Sequence, residues 1–483
     1  MSFAPVRGNR DRRGGWRRPS LTNAPPTTTT PAPPFGELLS KVRLTDLDKT
    51  AREFKDTAVI RNVVSIASFN WQRASKPTIV IPGSPPRWSP SNGETQLRED
   101  QGKFFRDRNA AQYPKHPMEP AVIAGLRSTP NLAREISVVG CSSTLGNLLR
   151  FVRGEDKSFR ILAQLVENTL FLIRRENSPT ELIPDVRGYG HTFPEAYTNW
   201  DRDVKQSTSH QRVLRYSFGG LNLLVRFEAD GYIPIPDNEA SKLPVANMET
   251  RQCFGIEDLT KSFQTAELAT EKNSAISSSG KGNLIVKEAG AGVNQDRIFD
   301  LKTRALWKKN QDLLGEEIPR LWIAQISNFI TAYHEKGLFR SENIDIRDVK
   351  ADIAKWEKEQ QSVLAQLASL LHTLISKAHE LKHGRFEVCR SKGGDLELRA
   401  QLAGVGDALS SSVKDEWIRS SESVLDNGKV ELKDNGKVEL KDNGKVELKD
   451  DVNVTNILSW DDGGENDYTA CTSACRYCGR CTY

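Results

Sequence analysis

The stretch Arg212-Val213-Leu214-Arg215-Tyr216-Ser217-Phe218-Gly219-Gly220-Leu221-Asn222-Leu223-Leu224-Val225-Arg226-Phe227-Glu228-Ala229-Asp230 decides how this chain is read. Two strand-like runs flank Gly219-Gly220, the kind of pair that closes a tight β-hairpin. The second run continues without a break into Glu228 and Asp230. Side chains alternate across a strand, so these two carboxylates share one face. Further on, Ile298-Phe299-Asp300-Leu301-Lys302-Thr303 reads as another strand, on which Asp300 and Lys302 share a face. Upstream, Tyr189-Gly190-His191-Thr192-Phe193-Pro194-Glu195-Ala196-Tyr197-Thr198 predicts a short helix carrying Glu195.

Carboxylates collected in this way offer the hard oxygen ligands that Mg²⁺ and Mn²⁺ prefer. A lysine among them points to an anionic substrate. Phosphodiester hydrolysis needs an activated water, neutralised phosphate charge and a stabilised leaving oxygen, and metals held by carboxylates supply all three. The expectation is that Glu228, Asp230 and Asp300 ligate the metal, with the Leu301 backbone carbonyl completing the shell. Glu195 would bind the metal directly or through water, and Lys302 would orient the attacking water or offset phosphate charge. Ile318, Leu321, Trp322, Ile326, Phe329, Ile330 and Tyr333 recur at helical spacing and predict a helix over 318–333. Gln325 falls on its apolar face, where a polar group must find a partner, and is expected to contact substrate or a neighbouring ligand. A lone Glu-x-Asp or Asp-x-Lys is a common surface-strand pattern. The ordered combination is the specific signal.

That order resembles the PD-(D/E)XK nuclease superfamily, and within it the DXO-type decapping and exoribonuclease family. Glu228-Ala229-Asp230 is similar to the family's Glu-x-Asp strand, and Asp300-Leu301-Lys302-Thr303 to its Glu-Leu-Lys-Thr, with Asp for Glu. Trp322-Ile323-Ala324-Gln325 is similar to its Trp-x-x-Gln helix, and 189–195 approximates the element before the hairpin. The resemblance spans about 188–333 and implies an α+β fold, a mixed β-sheet flanked by helices around a PD-(D/E)XK nuclease-like core. It also implies divalent-metal dependence and RNA 5′ ends as substrate. A nucleic-acid-binding protein that keeps the fold without catalysis, and a DNA nuclease acting on single strands through the same site, stay open. The chain is also similar to fungal proteins labelled geranylgeranyl pyrophosphate synthase. That chemistry takes an all-helical fold with two Asp-rich motifs. Here Asp461-Asp462 lies in an acidic tail and the middle of the chain reads as strands.

The remaining organisation follows from composition. Six arginines against Asp11 make residues 1–34 basic before they turn Pro/Thr-rich, a pattern of disordered RNA-binding tails. A nuclease-like α+β domain is expected over 35–410, with a polar inserted loop at about 234–283. A strand is expected at 78–82, another at 284–287, and one long helix over 349–381. Residues 411–450 read as a linker in which Asp-Asn-Gly-Lys-Val-Glu-Leu-Lys recurs three times, and 451–483 as an acidic tail. Cys471, Cys475, Cys478 and Cys481 fall within eleven residues and are candidate ligands for structural Zn²⁺ or an iron–sulfur cluster. No run of 18 apolar residues predicts a membrane span, and no apolar leader opens the chain, so the expectation is an intracellular protein of nucleus or cytoplasm. The histidines show no catalytic spacing with Ser or Cys and no His-Glu-x-x-His motif.

Overall fold

The computed structural model describes residues 30–184, 186–235 and 284–421. Most of the basic tail and nearly all of the inserted loop lie outside these residues. So do the three repeats, the acidic tail and the four clustered cysteines. Two mixed sheets flanked by helices make an α+β fold.

The hairpin builds the centre of the larger sheet. Ser207–Phe218 and Leu221–Ala229 pair antiparallel, and Leu221–Ala229 continues parallel to the short strand Val138–Cys141. Gly219 and Gly220 turn the chain with φ of +58° and +77°, a conformation that costs glycine little. A Cβ on Gly219 would stand 2.5 Å from that of Ala368, so close packing on the helix Gln361–Glu380 also requires glycine there. Around the hairpin the sheet reaches 11 strands, from Leu38–Val42 at one edge to Ile285–Ala289 at the other.

Alternation along the strands then sorts the core. Val138, Leu170, Leu172, Leu214, Leu223 and Val225 join one apolar cluster with the helices Ser142–Val152, Leu313–Ile323 and Gln361–Glu380. Their neighbours Val139, Phe171, Ile173, Val213 and Leu224 join a second cluster with Glu119–Ser128 and Ser411–Ser421. Successive residues serve opposite faces, so the strands are buried on both sides. A smaller sheet of seven strands holds Ile298–Ala305 between Gly231–Tyr232 and Asn328–Glu335. Under it Phe193, Tyr197, Phe299 and Phe339 form a third cluster.

Three expectations change. The apolar run at 318–333 is not one helix: Leu313–Ile323 is helical, Gln325 turns the chain at φ +50°, and Asn328–Glu335 is a strand. That strand is hydrogen-bonded on both sides and Phe329 to Tyr333 are all buried, so its apolar run is continuous and mimics helical spacing. The helix expected over 349–381 is two, Lys350–Glu359 and Gln361–Glu380, and Leu364, Leu367, Leu370, Leu371 and Leu374 pack into the core. Residues 411–421, assigned to the linker, form a helix that buries Val413 and Trp417. Among the described residues no helix is long and apolar enough to cross a membrane.

Candidate active site

Asp230 sits where the chain leaves one sheet for the other. Leu221–Ala229 belongs to the larger sheet and Gly231–Tyr232 to the smaller, so the residue between them marks their junction. Gly231 pairs with Phe299, and one step further along the same register places Asp230 against Asp300. The Leu301 N–H donates to Asp230 Oδ2 at 2.7 Å. Glycine at 231 is required by close approach, because a Cβ there would stand 2.5 Å from the Phe299 ring.

A cleft of about 890 Å³ opens over this junction. Glu195, Glu228 and Asp230 line it, with Arg73, Lys103, Arg108 and Lys205 for charge and Phe104 and Trp200 for aromatic surface. The expected set is thus partly assembled. Three of its carboxylates share the cleft, while Asp300 and Lys302, each 3% exposed, lie buried. Gln325 is not among the lining residues. Its Nε2 donates to the Trp322 carbonyl at 2.7 Å and so caps the helix end. The strand that replaces the second half of the expected helix is what removes Gln325 from a helical face.

Asp230, Glu228 and Asp300 already have partners. Glu228 accepts from Arg108 Nη1 at 2.7 Å and from Gln211 Nε2 at 3.1 Å. Both oxygens of Asp300 accept from the two terminal nitrogens of Arg320. Arg320 Nε reaches Glu317 Oε2 at 3.0 Å, and Arg304 and Lys302 approach Glu317 Oε1 at 3.5 and 3.9 Å. Burial would raise the Glu317 carboxyl, but Lys302, Arg320 and Arg304 outweigh it and hold the group below its usual range. Burial, reinforced by the charge on Asp300, pushes Asp230 up to about 8. Burial, reinforced by Arg320, pushes Lys302 down to about 8.

These shifts set the pH response of the chain in EDTA. The unfolded Asp230 carboxyl loses its proton near 3.8 while the folded one keeps it to about 8, so stability falls as pH rises through that interval. Lys302 acts oppositely. Its folded amine is neutral above about 8 while the unfolded amine stays charged to 10.5, so its burial cost is relieved over that interval. Melting temperatures across this range should fall towards pH 8, and Asp230→Asn should flatten the fall. A slope unchanged in the variant would contradict the placement of Asp230.

The donors fit a hard divalent cation in kind. Asp230, Asp300, Glu228 and Glu195 offer only carboxylate oxygens, the donor type such ions prefer. They are not drawn together as a chelate: among the described residues no three His, Cys, Asp or Glu side chains cluster closely enough to hold an ion. Arg320 on Asp300 and Arg108 on Glu228 take the positions such an ion would claim.

Sequence reading missed these two arginines, along with Gln211 and Glu317. It also missed Asp100, whose carboxylate accepts from the backbone N–H of His191 and of Thr192, each at 2.9 Å, and contacts His191 Nδ1 at 3.1 Å. Asp100 thereby fixes the short helix Thr192–Tyr197 that carries Glu195. A spacing of three between Glu317 and Arg320 was the one local signal available.

Among solved structures, Scheffersomyces stipitis Rai1 in complex with (3′-NADP)⁺ and calcium ion is similar at 10% identity, with a TM-score of 0.49, over 80% of this chain and 100% of that one. Candida albicans Rai1 in complex with pU5-Mn²⁺ is similar at 8%, TM-score 0.45, over 79% and 99%. K. lactis Dxo1 in complex with manganese is similar at 10%, TM-score 0.40, over 77% and 97%. No curated protein sequence matches the chain. The family model described as "Domain of unknown function (DUF8563)" matches residues 48–389, more than half of the sequence, and the chain belongs to that family.

Proposed function

We propose that the cleft at the sheet junction hydrolyses phosphodiester bonds in RNA with a divalent cation, Mg²⁺ or Mn²⁺, and that RNA 5′ ends are its substrate. The observation that carries this reading is Asp230. The residue is fixed at the junction, set against Asp300 and open to a cleft that also holds Glu195 and Glu228. A cation held by these carboxylates would activate water and offset charge on the phosphate. The Leu301 carbonyl is a further candidate ligand. Arg73, Lys103, Arg108 and Lys205 attract the phosphates, and Phe104 and Trp200 offer surfaces on which unpaired bases stack. Lys302, behind the carboxylates, offsets charge that develops on the phosphate. The preference for RNA rests on the sequence resemblance to the DXO-type family and on the basic tail.

One observation favours a second reading, a nucleic-acid-binding protein that no longer cleaves. Arg320 and Arg108 already neutralise Asp300 and Glu228. A substrate panel separates the two. Capped, 5′-triphosphate and 5′-monophosphate RNA and a single-stranded DNA of the same sequence are incubated with Mn²⁺, Mg²⁺ or EDTA. Cation-dependent shortening of at least one RNA, with the DNA left intact, is expected. RNA retained uncut with both metals would establish the second reading, and equal cleavage of the DNA would overturn the substrate assignment.

A further inference from the structure

The buried charge cluster behind the cleft holds a feature that hydrolysis alone does not explain. The Arg320 guanidinium, on the helix Leu313–Ile323, grips both oxygens of Asp300 and at the same time reaches Glu317 Oε2 at 3.0 Å through Nε. A guanidinium meeting a carboxylate fork to fork uses the whole acceptor. Asp300, Glu317 and Arg320 are 3%, 5% and 8% exposed, so solvent does little to share the load. We infer that Arg320 is an internal counter-cation that a divalent ion must displace from Asp300, and that Glu317 retains the guanidinium when it does. The inference rests on reading Asp230 and Asp300 as the ion-holding pair.

Ligand supply requires the displacement. The Arg320 fork takes both oxygens of Asp300, and Glu317 is shared among Lys302, Arg304 and Arg320. A divalent ion can bond to Asp300 only through an oxygen that the guanidinium has released, and Glu317 keeps the released charge paired inside the buried site. Glu317 is suited to hold the released group. It lies three residues before Arg320 on the same helix and already bonds it through an oxygen that Lys302 and Arg304 do not use. The affinity of the site for an ion is then set by the contest at Asp300 and not by the carboxylates alone.

Mn²⁺ binding to the full chain tests this, read by electron paramagnetic resonance and calorimetry, without reference to activity. Arg320→Met removes the competitor and is expected to bind Mn²⁺ at least about tenfold more tightly than wild type. Glu317→Gln removes the retaining carboxylate, commits Arg320 to Asp300 and is expected to weaken binding about tenfold. The methionine variant should melt below wild type in EDTA and recover with added Mn²⁺. Should it fail to fold, the Glu317→Gln arm decides alone. Equal Mn²⁺ affinity in wild type and the variants that fold, or no binding in any of them, overturns the inference. The expected shifts support it even where the chain cuts no RNA, which keeps it separable from a failure of the nuclease reading.

Discussion

Asp230→Ala is expected to lower RNA cleavage about a thousandfold or more while leaving the fold intact. No other residue in the expected set is both at the sheet junction and open to the cleft with its carboxylate set against Asp300. Removing it deletes one of the two facing carboxylates and leaves an ion with Glu195, Glu228 and an Asp300 that Arg320 already claims. The same substitution should cost little stability. A buried acid pushed up to about 8 is a group whose charged form the folded state disfavours, and its one backbone partner is the Leu301 N–H. Activity lost with melting temperature kept is therefore the signature. Wild-type cleavage by a correctly folded Asp230→Ala chain would sink the assignment of the site.

The second large effect lies far from the cleft. Trp417→Ala should destabilise the domain by about 3–5 kcal/mol, the usual range for deleting a buried aromatic side chain. Trp417 is 0% exposed and meets Phe171 edge-on with ring centroids 5.6 Å apart. It joins the apolar cluster on the face of the larger sheet that Glu119–Ser128 also covers, and the Ser420 hydroxyl of the same helix accepts from the Ala133 N–H. Urea denaturation gives the comparison directly. A change under about 1 kcal/mol would mean that residues 411–421 act as the linker their composition suggested.

That case shows why the linker reading missed the helix. Ser411–Ser421 is rich in Ser and charge, and Val413 and Trp417, four residues apart, are its only buried apolar residues. One i, i+4 pair is too little periodicity to outweigh a polar composition. The run over 318–333 erred in the opposite direction. Its apolar residues were plentiful, but a strand buried on both faces carries them without alternation, so the pattern could not separate helix from strand.

The sequence by itself determined the hairpin around Gly219-Gly220, the strands that carry Glu228 and Asp300, the short helix that carries Glu195 and the α+β class. Those features are local: turn chemistry and alternation act over a few residues, and the chain writes them out in order. Tertiary structure alone decided which charges meet. The crossing from one sheet to the other at Asp230, the clasp of Arg320 on Asp300 and of Arg108 on Glu228, and the displacement of Gln325 from the cleft all join or part residues that are distant in sequence or belong to different elements. Contacts of that kind are fixed by strand register and by the compensation of buried charge, and neither leaves a periodic mark in the sequence.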